Sequence, residues 1–374
     1  MKVRRVKISA KSNLSSLKWA IGMDVSLPTE LLHQLEYDSQ GCVILDKTAE
    51  SLAKNSNYSH KLRLKAAYTP NPPLSSRLPF SYHYAPTFLR QLAARGIGRI
   101  QFYRKSRWAN FPNWPLDLSV DLLSDLEEPS QRKERRTPVI LTHDLDTPEG
   151  VTNAAQLFAP IEEKYGARSV NFIVPCSWPI DQPILKSMQE KGHEIGVHGY
   201  DHANKTPFAS PQERYRRLEA AQAFALSFNV TGYRAPSLLR THELIQDLAN
   251  RYIYDSSIPT SGGLYPTPNN GCATARPFKL NGIAELPLSL PRDGSLRFLG
   301  YTAESILKLW IDCTERIARS GGVVVLLTHC ESVFSGNKPM LDIYQRYLRY
   351  IAESEHLEFS LPYDVLRNWK VIQG

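Results

Sequence analysis

Two carboxylates and two histidines in this chain are spaced as metal-assisted hydrolysis would need them. Residues 142–146 read T-H-D-L-D, and residues 198–202 read H-G-Y-D-H. His198 and His202, four apart, can aim both rings at one point on a helical turn, an arrangement suited to a divalent ion. Alone the pattern is weak, because a chain with 10 histidines produces H-x-x-x-H readily among solvated loop residues. Asp144 and Asp146 stand at i and i+2, so on an extended strand both point the same way. Either could complete a two-histidine, one-carboxylate site with open positions. The other, not ligated, could take a proton from a metal-activated water. Arg234 could keep that base ionised and oriented, although an ordinary structural salt bridge reads the same in sequence. His329 could protonate a leaving amine, with Asp255 orienting its ring and raising its pKa. His143 is out of phase with the aspartates and reads as structural.

Residues so far apart need a scaffold that gathers them. From about residue 137 short apolar runs alternate with helical patterns, which means parallel β/α units. Asp144 and Asp146 end the first run, His198 and His202 the third, Arg234 the fourth, Asp255 the fifth and His329 the last. About seven units without a glycine-rich dinucleotide fingerprint favour a closed barrel over a doubly wound sheet. In a barrel all these strand ends share one rim, where working side chains sit.

A charged stretch at 127–137, E-E-P-S-Q-R-K-E-R-R-T, reads as a linker before a catalytic barrel at 138–374. Residues 1–126 give mixed helix and strand signals and carry no chemical motif. There V-S-L-P-T-E-L-L-H-Q-L (25–35) reads as a capped helix and G-C-V-I-L-D (41–46) as a strand. A-P-T-F-L-R-Q-L-A-A-R-G (85–96) reads as a helix with a glycine stop. The stretch 69–80 is proline-rich, and aromatics cluster at 102–114.

With 42% hydrophobic and 22% charged residues in 374, the chain has the composition of a soluble globular protein. The net charge of +8 suggests an anionic partner: an acidic or nucleotide-linked sugar, or peripheral contact with an anionic membrane surface. No nucleic-acid recognition motif accompanies it. Five scattered cysteines without C-x-x-C fit a reducing compartment. The basic N-terminus leads into no apolar signal core, and no run is long enough to span a membrane, so a cytoplasmic location is expected.

From about residue 137 to 374 the chain resembles the polysaccharide deacetylase family, the NodB-homology or carbohydrate esterase family 4 domain. T-H-D-L-D and H-G-Y-D-H match its first two motifs, R-A-P-S (234–237) the third, Y-D-S-S (254–257) the fourth and L-L-T-H (326–329) the fifth. The resemblance implies an α/β fold, a distorted (β/α)7 barrel, here behind an N-terminal α+β accessory region of unknown role. It implies a divalent metal, zinc before cobalt, manganese or nickel, and hydrolysis of an N-acetyl group. Carried over by motif, Asp144 is the base, Asp146, His198 and His202 the metal ligands, and Arg234 the partner of the base. His329 is then the acid and Asp255 its partner. Two departures stand out. The common first motif is T-F-D-D, whereas Leu145 separates the aspartates here, a form found in divergent members that include hydrolases of cyclic amides or ureides. The fourth motif lacks its tryptophan. Trp178, Tyr200 and Tyr233, near strand ends, could line a sugar site. The expected function is removal of an N-acetyl group from an acetamido sugar or its nucleotide- or lipid-linked precursor in polysaccharide biosynthesis. Hydrolysis of a cyclic amide or ureide is the alternative, and a catalytically silent binding module a third reading.

Overall fold

The computed structural model describes residues 2–12, 15–46, 57–65, 68, 72–73, 76, 87–103, 116–128, 136–261 and 271–373. The chain starts with an antiparallel pair, β1 (Val3–Lys7) and β2 (Asp24–Pro28), and a smaller one, β3 (Glu36–Tyr37) and β4 (Val43–Ile44). The helix expected over 25–35 is not there. β2 takes its first half, burying Val25 and Leu27, and only Thr29–Leu32 is helical. Pro28 makes the break, since it lacks an N–H and keeps the residue before it extended. The helix expected to stop at Gly96 runs from Thr87 to Tyr103. Gly98 sits against the backbone carbonyl of Phe298 where a Cβ would collide. That glycine allows a close approach; it does not end a helix. Most of the proline-rich, aromatic and linker stretches lie outside the described residues.

The main sheet contains β5 (Thr137–Leu145), β6 (Ser169–Ile173), β7 (Glu194–Val197), β8 (Gly232–Tyr233) and β9 (Tyr254–Asp255). β10 (Phe278–Leu280), β11 (Ile283–Glu285), β12 (Val324–His329) and β13 (Leu357–Phe359) complete it. Its order is β10-β11-β9-β8-β7-β6-β5-β12, parallel throughout except for β10, and β13 pairs with the start of β5. Beyond β11 the chain runs on beside β12: Leu290 N–H donates to the Val325 carbonyl at 3.1 Å, and Ser289 Oγ accepts from Val325 N–H at 2.8 Å. These bonds close the curl, giving a distorted (β/α)7 barrel. β12 is apolar and buried along nearly its whole length, as a parallel strand covered on both faces must be.

The outer helices follow from the sequence pattern. Ala303–Ser320 buries Ile306, Trp310, Cys313 and Ile317 on one stripe. Thr302 caps its start by accepting from Ser305 N–H, and Gly321, in the left-handed region at φ 67°, ends it. The N-terminal part shares its core with the barrel, Leu27, Leu118 and Leu122 clustering with Trp310 and Val324. Arg276 makes a two-pronged ion pair with Asp125 at 2.7 and 3.1 Å across the same junction. Among the described residues no helix is long and apolar enough to cross a membrane.

Candidate active site

The pleat of β5 decides what Leu145 does. Thr142 and Asp144 face the barrel interior, while Leu141 and Leu145 turn outward into the hydrophobic layer, both essentially fully buried. Leu145 takes an ordinary outward place, and the carboxylates on either side of it reach one nitrogen. His198 Nε2 lies 3.7 Å from Asp144 Oδ2 and 3.5 Å from Asp146 Oδ1. His202 Nε2 lies 3.3 Å from Asp146 Oδ1.

The two histidines follow β7, but on a turn, not the helical turn expected from their spacing. Gly199 and His202 adopt positive φ of 69° and 54°, which bends the chain back on itself. A left-handed histidine is an uncommon conformation that the surrounding structure must hold in place. His198 Nδ1 donates to the Arg234 carbonyl at 3.0 Å, leaving the Nε2 lone pair aimed at the aspartates. Burial lowers the pKa of His202 against the pull of Asp146. Donor atoms of Asp146, His198 and His202 lie within 4.8 Å of one another. One carboxylate and two imidazoles whose Nε2 atoms face it suit zinc or a similar borderline cation.

Asp144 is buried, and Arg234, wholly buried, places Nη1 2.9 Å from its Oδ1. The guanidinium is fixed by Thr142 Oγ1 and by the Ser256 carbonyl and hydroxyl, and it lies over the Phe172 ring. Burial pushes the Asp144 carboxyl up, but the charges of His198, Arg234 and His329 outweigh it, and the net shift is downward. Asp144 is therefore ionised at neutral pH.

His329 has a different partner from the one expected. Its Nδ1 lies 2.8 Å from Asp293 Oδ1, and Asp293 Oδ2 accepts from the His329 backbone N–H and the Ser335 hydroxyl. Asp255 instead accepts from Ser257 Oγ at 2.6 Å and stands in register with Glu285 on the neighbouring strand. The reason is strand order: barrel closure puts the segment after β11, not β9, beside β12. Burial and repulsion from Asp255 hold Glu285 well above the carboxylate range. Asp293 carries a signal of the same kind in the sequence, because it too follows an apolar run, L-P-L-S-L-P-R-D.

Burial pulls the His329 ring down, yet the Asp293 charge and hydrogen bond, helped by Asp146 and Asp144, raise it to about 10. A cation beside Asp146 would offset the two distant aspartates but not the bonded one. Replacing Asp293 with Asn is expected to move the alkaline limb of the rate profile down by roughly one unit or more. A raised pKa contributes stability below the ordinary histidine value and loses it as pH rises towards 10, so the variant should also lose part of its stability near pH 8. An unchanged alkaline limb would remove Asp293 from this role.

Glu331 is a further neighbour that the sequence did not single out. Its Oε1 accepts from the Asp146 backbone N–H at 3.0 Å and from Thr147 Oγ1 at 2.9 Å. Burial, then Asp146, raises it to about 8. Tyr233 is wholly buried in the core, and Tyr200 packs against Arg216 and Arg217. Tyr233, with no exposed surface, supplies no sugar wall. His143 points to the outer side of β5, between Thr328 and Glu162.

Residues 131–253 match the family model for polysaccharide deacetylase. This stretch is a polysaccharide deacetylase domain. The family acts as hydrolases and generally uses a divalent metal, in keeping with the donor set at the rim. A crystal structure described as a polysaccharide deacetylase from Mycobacterium smegmatis is 18% identical, with a TM-score of 0.52 over 64% of this chain and 92% of that one. The structure of Puue allantoinase is 13% identical, with a TM-score of 0.51 over 71% of this chain and 94% of its own. At such identities both establish the fold. No curated protein matches the chain.

Proposed function

We propose that this polysaccharide deacetylase domain removes the N-acetyl group from an acetamido sugar carried on a nucleotide- or lipid-linked precursor. The observation that supports it is the convergence of Asp146, His198 and His202 between two charge pairs, Asp144–Arg234 and Asp293–His329. Asp146, His198 and His202 hold the metal. A divalent ion there, zinc before cobalt, manganese or nickel, supplies Lewis-acid polarisation of the acyl oxygen and acidifies a water. Asp144, kept ionised and oriented by Arg234, takes a proton from the attacking water. His329, kept protonated by Asp293, gives its proton to the departing nitrogen, so that acetate and a free amine result. The net charge of +8 supports a substrate with an anionic carrier.

The test is acetate release from a panel of acetylated polymers, simple acetamido sugars and linked precursors, with metal-loaded and chelator-stripped protein. Acetate from the precursors, lost on stripping and restored by metal, is the expected result. Acetate from polymers and from no precursor would overturn the substrate, and full activity after stripping would overturn the metal. The D-x-D spacing favours a second reading, hydrolysis of a cyclic amide or ureide. Turnover of hydantoin-like compounds without acetate release from any sugar would select it.

A further inference from the structure

A pocket of about 330 Å³ opens between the N-terminal helix Thr87–Tyr103 and the barrel, lined among others by Arg95, Arg297, Phe298, Tyr301 and Val333. That volume is at the lower end for a small-molecule site. Among the described lining residues Arg95 and Arg297 are the charged ones, and none is acidic. Neither guanidinium makes an ion pair among the described residues, so both are available to a ligand. The segment that supplies Arg95 is biased the same way. Between residues 51 and 116 the chain has eleven lysines and arginines and no aspartate or glutamate. The excess positive charge of the protein is thus concentrated in the stretch of sequence that contains Arg95.

The pocket also shares a wall with the catalytic centre. The Phe334 ring packs on His329 at 4.8 Å between centroids and on Phe298 at 5.8 Å. Phe298 and Val333, the residue before Phe334, face the pocket. A ligand reaching both spaces needs an acyl group at one end and an anion at the other. In a 2-acetamido sugar the anomeric oxygen is on the carbon next to the amide.

We propose that this pocket binds the phosphate or diphosphate ester on the anomeric carbon of the substrate, with Arg95 and Arg297 as its ligands. The link to substrate rests on the deacetylase reading; the anion site itself does not. Planar guanidinium donors match phosphate oxygens in geometry and charge. The same phosphate chemistry could come from a nucleotide or from a lipid carrier.

The test titrates metal-loaded protein calorimetrically with uridine 5′-diphosphate and, separately, with farnesyl diphosphate. Arg95→Gln and Arg297→Gln are compared with the parent chain, and Asp146→Asn serves as background to exclude binding through the metal. At least one probe is expected to bind, about tenfold more weakly in each arginine variant, the scale of one charge-assisted hydrogen bond. Acetate release from an uncharged N-acetylated methyl glycoside should be unchanged in both variants, while KM for the phosphorylated sugar rises. The preferred probe identifies the carrier. No binding of either probe, or binding that neither substitution weakens, overturns the pocket. If no acetamido compound yields acetate the deacetylase reading fails, and the titration still decides the anion site.

Discussion

Replacing Asp144 with Asn is expected to lower turnover by about 10²- to 10⁴-fold, the usual contribution of a general base, with the metal still bound. Asparagine keeps the shape of the side chain and an oxygen for Arg234 Nη1, now 2.9 Å from the carboxylate. It cannot accept the proton of the attacking water. Arg234 loses a charge partner inside the protein but keeps its bonds to Thr142 and Ser256, so the fold should survive with a reduced thermal midpoint. The depressed pKa of Asp144 sets the sign of a pH effect. Its stabilisation is present above the ordinary aspartate value and is lost as pH falls through the folded value, and the variant should lack that acid dependence. Metal content and acetate release, measured on the same sample, check the prediction. Turnover within a few-fold of the parent would take the base role from Asp144, and loss of the metal would mean that the two aspartates exchange roles.

Replacing Glu162 with Gln is expected to cost about 3 kcal/mol of stability, although Glu162 touches no proposed ligand. The carboxylate is wholly buried and takes bonds from His143 Nε2 at 2.7 Å, Tyr344 at 2.6 Å and Ser169 at 2.7 Å. Burial alone would push it up, but attraction to His143 and the hydrogen bonds lower it from 4.5 to about 2. The difference corresponds to about 3 kcal/mol of preference for the charged form. A depressed carboxylate stabilises the fold above about pH 4.5, and that contribution disappears between there and about pH 2. Gln fills the volume but offers one acceptor oxygen to three donors, so that at least one hydroxyl must turn round to accept from the amide, and the charge that attracts His143 is gone. Thermal unfolding at neutral pH should drop by several degrees, and the acid-induced loss of stability over that window should flatten. An unaltered midpoint with an unaltered acid transition would show the network to be energetically idle. The site has a stake in it as well. His143 Nδ1 bonds Thr328 Oγ1 at 2.8 Å, one residue from both Asp144 and His329, and so ties the strands of base and acid in register.

What was legible in the sequence was whatever depends on local period and type. Strand-helix alternation from residue 137 names the architecture, because a chain that alternates this way has few means of burying its strands. The period of two along β5 places Asp144 and Asp146 on one side and His143 and Leu145 on the other without any knowledge of the fold. The H-x-x-x-H spacing showed that two rings can converge, but the turn that brings them together depends on a left-handed His202, which no helical pattern announces. In the N-terminal region the apolar period is a poor guide: Pro28 cuts a helix short, and the later helix runs through Gly96 to Tyr103 with Gly98 as a contact point.

The sequence by itself determined the chemistry available: two carboxylates, two histidines, an arginine and a further histidine, each at the end of an apolar run. Tertiary structure alone decided which of them pair. Asp293 serves His329, and Asp255 stands with Glu285, because the barrel closes with the segment after β11 beside β12, a contact between chain stretches more than thirty residues apart. The pocket with Arg95 and Arg297 is set in the same way, by a helix that precedes the barrel in the chain yet lies against residues near 298. Neighbour relations across a closed sheet are global quantities. They depend on how all the strands curl, whereas the side a residue faces depends only on the strand that carries it.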